Sequence, residues 1–200
     1  MIHILIIGPP ASGKYTIGKE VSSKIDFNYI HEHNILDIIT QFGIEDNYKR
    51  NLAYLNLRLY VLKQYFENIN KGIVSTMVFD FNNKLHFWFL KNVEKKIIEK
   101  KGKLIIIELE ANQNIRLKRN TNDDRLFYKP TKQDIEKSTK TIYELDRYTK
   151  LNSSKDEFSF LKNTKFIKVK NEGTINQCVL EIYKIVQLWI QEVNVFDKKV

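Results

Sequence analysis

Cysteine is nearly absent: Cys178 is the only one in 200 residues, so no intramolecular disulfide can form and burial and hydrogen bonding must hold the fold. Cys178 lies in an apolar-periodic segment, which predicts a buried thiol and fits a reducing compartment. Three prolines and seven glycines are too few for a proline-rich linker or a collagen-like tract. No apolar run approaches the roughly 20 residues that cross a bilayer. The stretch from Met1 to Ile7 is too short for the apolar region of a secretory leader and lacks a charged start. These absences predict a cytoplasmic chain that neither spans a membrane nor is secreted. Acid is the scarcer sign, with 24 Asp and Glu against 33 Lys and Arg and a net charge of +9. That balance favours anionic partners, among them nucleotides, phosphorylated metabolites and nucleic acid. The lysines are scattered, as between Lys91 and Lys103, which equally serves solubility.

The remainder has the composition of a globular protein, with 42% hydrophobic and 28% charged residues. The length predicts one domain, residues 1–200, with a sizeable core. Ile2 to Ile7 is an almost unbroken β-branched and leucine run, as expected of a strand buried on both faces. Helical periodicity follows from Gly13 to Ile25, then a short strand at Tyr29-Ile30. Asn34 is the expected N-cap of a helix through Ile35, Ile38 and Ile39. A long amphipathic helix is expected from Asn47 to Asn70, with Tyr48, Leu52, Leu55, Leu59, Leu62, Phe66 and Ile69 on one stripe. Further strands are expected at Ile73–Phe79, Leu104–Leu109 and Phe166–Val169. Further helices are expected at Leu85–Lys100, Asn112–Asn120, Pro130 to about Tyr148, and Ile175–Val193. Alternating strands and helices imply an α/β fold with a parallel sheet.

Between the first strand and its helix lies Gly8-Pro9-Pro10-Ala11-Ser12-Gly13-Lys14. Two glycines separated by four residues, followed by lysine where a helix starts, form a loop whose N–H groups and helix dipole bind phosphate oxygens. Lys14 reaches the β- and γ-phosphates in such a loop. The next position, ordinarily the Ser or Thr that ligates Mg²⁺, is Tyr15, and Thr16 is the expected α-phosphate contact. A phenol is too long for a compact octahedral ion, so Mg²⁺ must be held otherwise, through carboxylates or waters.

With this loop the chain resembles P-loop kinases of the shikimate, gluconate and nucleoside-monophosphate type. Within them it looks most like small shikimate-kinase-like ATP-binding proteins, some labelled as AAA-family, that also lack the first hydroxyl. That group carries a His-x-His-x-x-x-Asp pattern, reproduced by His31, His33 and Asp37, and a helix Arg followed by a lid Arg and Lys, echoed by Arg119, Arg125 and Lys129. The resemblance implies a three-layer P-loop NTPase fold with a five-stranded parallel sheet of order 2-3-1-4-5, helices on both faces, and a lid near residues 119–130. Substrate-binding helices would span residues 33–70. It also implies ATP and Mg²⁺ as cofactors, with a nucleoside triphosphate and a small-molecule acceptor as partners. The paired aspartates and the Gly-Gly of shikimate kinases are missing, so a shikimate substrate is not supported.

Phosphoryl transfer asks a protein mainly for positioning and cationic neutralisation. Lys14 and Arg125 are the expected catalytic cations, with Arg119 beside the nucleotide. Asp80, at the expected end of the third strand, is the candidate metal-holding carboxylate, with Glu108 and Glu110 as alternatives at the fourth. His31 and His33 sit at the edge where open α/β sheets bind ligands. Their options are substrate hydrogen bonding, general base action by His33, or metal positioning through Glu32 or Asp37. Arg50, Tyr54 and Arg58, spaced i, i+4, i+8, line either an anion-binding substrate pocket with Lys129 or a solvated face. Three function classes follow: an ATP-dependent kinase, a regulatory nucleotide-binding module, and, less favoured, nucleic-acid end processing.

Overall fold

All six residues of β1, Ile2–Ile7, are buried, and this strand occupies the centre of the sheet. The structure is a computed structural model that describes residues 1–121 and 134–197. After β1 come α1 (Lys14–Lys24), β2 (Asn28–Ile30), α2 (Glu32–Gln41), α3 (Asn47–Asn68) and β3 (Ile73–Met77). The chain continues with α4 (Lys84–Glu99), β4 (Lys103–Glu110), α5 (Gln113–Asn120), α6 (Ile135–Tyr148), β5 (Thr164–Lys170) and α7 (Ile175–Asp197). The strands form one five-stranded sheet of order β2-β3-β1-β4-β5, and every pairing is parallel. This is the expected α/β architecture and strand order.

Side chains that alternate along a strand point to opposite faces, and both faces are covered. Leu5, Ile7, Ile73, Met77, Leu104 and Ile106 pack with Leu55 and Leu62 of α3 and Phe89 and Val93 of α4. Ile4, Ile6, Val74, Ile105 and Ile107 pack on the other face with Ile17 and Val21 of α1 and Val179, Ile182 and Val186 of α7. Truncating any of these isoleucines to alanine would cost roughly 2–5 kcal/mol. Cys178 is buried in the second layer. Among the described residues no helix is long and apolar enough to cross a membrane.

Three boundaries differ from expectation in ways that move functional residues. The third strand ends at Met77 rather than Phe79. The turn beyond it buries Phe79 and Phe81, whose rings lie 4.8 Å apart and meet Phe158. The helix expected to start after Asn34 begins at Glu32, and its N-cap is His31. The helix expected from Pro130 is described from Ile135, where Asp134 accepts the Lys137 N–H as its cap. Pro130 lies outside the described residues.

Candidate functional site

The loop from Gly8 to Gly13 leaves β1 at the carboxyl edge of the sheet and turns through three left-handed residues, Gly8 (φ 149°), Ala11 (φ 60°) and Gly13 (φ 95°). Such turns aim successive N–H groups into one concavity. A Cβ on Gly8 would stand 2.5 Å from the Leu109 carbonyl oxygen, so only glycine fits there. Gly13 is the N-cap of α1 and has no side chain to bond the helix's first N–H groups, the donors with which a helix N-terminus binds an anion. Lys14 is buried, and its ammonium donates to the carbonyls of Gly8 and Pro9, both at 2.9 Å.

One residue that holds this loop had no sequence signal. Asn171, just past β5, donates through Nδ2 to the Ser12 carbonyl at 2.8 Å, and its own N–H bonds to the Glu110 carbonyl. The hydroxyl of Ser12 is buried without a hydrogen-bond partner among the described residues. Buried hydroxyls are seldom left so, and a phosphate oxygen is the kind of acceptor this one lacks.

Tyr15 does not stand where a metal-ligating hydroxyl would. Its ring packs against His31, with centroids 4.8 Å apart, and edge-on to Tyr29 at 6.0 Å. The Tyr29 hydroxyl donates to the Tyr15 carbonyl at 3.3 Å, and Thr16 is exposed. His31 and His33 are expected at the sheet edge, ahead of a helix capped by Asn34. Instead His31 caps α2, accepting the His33 N–H at Nδ1, and His33 lies in the first turn. The reason is local: an imidazole nitrogen can satisfy an orphan N–H as a serine oxygen does. The rings remain adjacent at 4.9 Å, and His33 Nδ1 faces Asp37 Oδ1 at 4.0 Å.

Between the two histidines Glu32 turns inward and is buried. Its Oε2 accepts the Val78 N–H at 2.8 Å. Burial alone would push this carboxyl up. The positive fields of Lys14, His33, Arg58 and His31 overcome that and hold it down at about 2. It is therefore ionised and set among cations beside the phosphate loop.

Arg58 is also buried, at 3% exposure. It donates to the Tyr54 hydroxyl at 2.7 Å and to Ser75 Oγ at 3.3 Å, and its guanidinium lies 5.3 Å from the Phe89 ring centroid. Ser75 also meets Nε2 of the fully buried His3 at 2.8 Å. The Arg50–Tyr54–Arg58 face is thus split. Arg50 donates to the Ile44 carbonyl and to Asn47, tying down the α2–α3 connection, away from Arg58.

Asp80 sits three residues past the end of β3. Its Oδ1 accepts the Asn82 N–H at 2.9 Å and the Lys150 N–H at 3.2 Å, and its own N–H donates to His86 Nδ1. Glu108 is fully buried and accepts the Ser153 N–H, with Lys168 at 3.8 Å, and burial pushes its carboxyl up. Glu110 pairs with Lys168 at 3.2 Å. These contacts bind the segment after α6 to the strand ends. Arg119 is half-buried beside Cys178 and Glu172; burial pushes its guanidinium down, and one of its terminal nitrogens is buried without a partner among the described residues. Arg125 and Lys129 lie outside the described residues. Among the described residues no trio of His, Cys, Asp or Glu could hold a metal by itself, so a cation here would rely on Glu32 with ligand oxygens and water.

The sequence matches no protein-family model, and no curated protein is similar to it. Solved structures are similar in fold. A gluconokinase from Sinorhizobium meliloti 1021 aligns with a TM-score of 0.61 at 12% identity, covering 99% of this chain and 97% of that one. A sugar kinase from Janibacter sp. HTCC2649 aligns at 0.57 with 11% identity, covering 94% and 95%. A shikimate kinase from Acinetobacter baumannii, determined in complex with shikimate, aligns at 0.55 with 14% identity, covering 95% and 93%. These alignments run over nearly the whole of each chain, and with its five-stranded parallel sheet of order 2-3-1-4-5 the chain has the three-layer α/β fold of the P-loop kinases of the gluconate and shikimate type.

Proposed function

We propose that this chain is an ATP-dependent kinase that transfers a phosphoryl group to a small-molecule acceptor. The observation that carries this reading is the meeting of a left-handed loop, a buried Lys14 and an ionised, buried Glu32 at one sheet edge. The N–H groups of Ala11 and Gly13 and of the first turn of α1, with the Ser12 hydroxyl, cradle phosphate oxygens, and Lys14 neutralises the charge that spreads over them in the transition state. Thr16 and Arg119 flank the nucleotide. Glu32, rather than Asp80, is the carboxylate that would hold Mg²⁺, through water, because Asp80 already accepts two backbone N–H groups. When bound, the ion neutralises the phosphates.

On the acceptor side Arg58 offers positive charge, and His33 with Asp37 offers a ring that can take the acceptor's proton. The lid assigned by the sequence contributes Arg125 and Lys129. Lys14→Ala is expected to abolish ATP-dependent phosphorylation across a metabolite panel while leaving the circular dichroism spectrum intact. Undiminished phosphorylation in that variant would refute the assignment.

A second reading, a nucleotide-binding regulatory module, is favoured by the packing of Tyr15 on His31 and Tyr29, which leaves the loop without a metal-ligating hydroxyl. In that case ATP binds stoichiometrically with Lys14 dependence, and no acceptor in the panel gains a phosphate.

A further inference from the structure

His31 is 7% exposed, and its Nδ1 accepts the His33 N–H at 2.9 Å. That bond decides which nitrogen carries the ring proton. An accepting Nδ1 presents a lone pair, so the neutral ring is the Nε2–H tautomer. Moving the proton to Nδ1 would break the cap and set it against the first N–H groups of α2. His31 is thereby built as a hydrogen-bond donor rather than a base.

The donor belongs to the phosphate loop's surroundings. The ring packs 4.8 Å from that of Tyr15, the residue directly after Lys14. Around it stand Tyr15 from α1, Tyr29 from β2 and Glu32 and His33 from α2, and the buried Glu32 carboxylate next to it in the chain also feels the fields of Lys14 and Arg58. Tyr15 occupies the position that ordinarily presents a short hydroxyl, and its phenol lies sideways against this same imidazole.

We propose that His31 donates from Nε2–H to the terminal phosphate oxygens of a nucleotide held at Gly8–Lys14, so that α2 supplies part of the stabilisation the loop cannot organise through Tyr15. The proposal rests on the nucleotide-binding reading given above. It assigns His31 to the nucleotide rather than to the acceptor, and excludes it as the general base.

The test crosses capping against donation. His31→Ser keeps a good N-cap and loses the ring donor, whereas His31→Gln keeps an amide N–H at comparable reach and caps poorly. Binding of adenosine 5′-(β,γ-imido)triphosphate and of ADP is measured by calorimetry, beside the thermal midpoint. His31→Ser is expected to keep its midpoint and its ADP affinity and to bind the imido analogue about tenfold more weakly, the scale of one hydrogen bond to a charged group. His31→Gln is expected to lower the midpoint yet recover most of the analogue affinity. The opposite ranking, with His31→Ser binding like the parent, makes His31 a cap only and overturns the proposal.

Nitrogen-15 spectra of the parent protein give a second reading that needs no variant. Nδ1 should resonate as a bare nitrogen and Nε2 as a protonated one, with Nε2 shifting on addition of the imido analogue but not of ADP. A protonated Nδ1 in the neutral ring overturns the assignment. Lys14→Ala separates the two levels: if it binds both nucleotides like the parent, the phosphate-loop reading itself fails.

Discussion

Arg58 donates to the hydroxyl of Tyr54, one helical turn earlier on α3, at 2.7 Å, and both side chains are buried. No carboxylate lies within ion-pair distance of this guanidinium among the described residues. A buried charge held by two hydroxyls and an aromatic face is a poor stabiliser, because desolvation outweighs what those partners return. Arg58→Met keeps the stem against Phe89 and removes the charge. It is expected to unfold in urea at or above the parent's midpoint, while ATP turnover falls at least tenfold. An unfolding free energy lowered by several kcal/mol, with turnover intact, would assign Arg58 to the core.

The phosphate loop makes a sharper demand on backbone shape. Gly8→Ala places a methyl group 2.5 Å from the Leu109 carbonyl oxygen at a φ of +149°, and neither strand can yield. A loss of about 3 kcal/mol or more is expected in urea titrations. Gly13→Ala, at a φ of +95°, meets the movable amide of Asn171 rather than backbone. Its cost in stability should be smaller, and its main effect should be on nucleotide affinity, through loss of the Asn171 bond to Ser12.

Acid stability should follow two buried imidazoles. Burial and then the Arg58 field push His3 down to about 3. His86 is brought down to about 4 by burial, with Asp80 opposing and Arg58 assisting. Unfolded, both would take a proton near 6.5, so below that pH the unfolded chain binds more protons than the folded one. Stability is therefore full above pH 6.5 and falls as pH drops towards 4. His86 alone accounts for roughly 3 kcal/mol of that fall, given 1.36 kcal/mol per pKa unit. His86→Asn, whose side-chain oxygen can still accept the Asp80 N–H, is expected to flatten the slope between pH 6.5 and 4 in urea titrations.

What the sequence revealed and what it hid divide along physical lines. Strands buried on both faces read as continuous apolar runs, so β1, β3 and β4 were legible, and the glycine spacing of the phosphate loop records a backbone requirement directly. Capping is different, because the preferred N-cap types do not include histidine; Asn34 was expected where His31 caps, and Glu32 therefore stood on the wrong side of the helix boundary. The i, i+4, i+8 row ending at Arg58 carries no mark of burial in its own periodicity. Its burial comes from α3 packing between α2 and α4, a tertiary fact. Asp80 was expected at a strand end because Val78 and Phe79 prolong the apolar run. The strand stops at Met77, and Phe79 with Phe81 closes an aromatic cluster instead.

Glu32 yields the prediction that separates charge from shape most cleanly. Its Oε2 accepts the Val78 N–H at 2.8 Å, an interaction glutamine can reproduce through its amide oxygen, so Glu32→Gln leaves the α2–β3 contact in place. What it removes is the negative charge facing Lys14, His33, Arg58 and His31. With that charge gone the buried Lys14 and Arg58 lose the carboxylate whose field they share, and leaving buried charges uncompensated is expected to cost roughly 3–5 kcal/mol. An anionic ligand returns the missing charge, so nucleotide should raise the thermal midpoint of Glu32→Gln by more than it raises the parent's. Nucleotide affinity without Mg²⁺ should rise, while the enhancement by Mg²⁺ and the Mg²⁺-dependent turnover should disappear. Calorimetry with and without Mg²⁺ reads both arms. A variant that keeps the parent's Mg²⁺ dependence would return the metal role to Asp80, whose Asn variant would then show the loss.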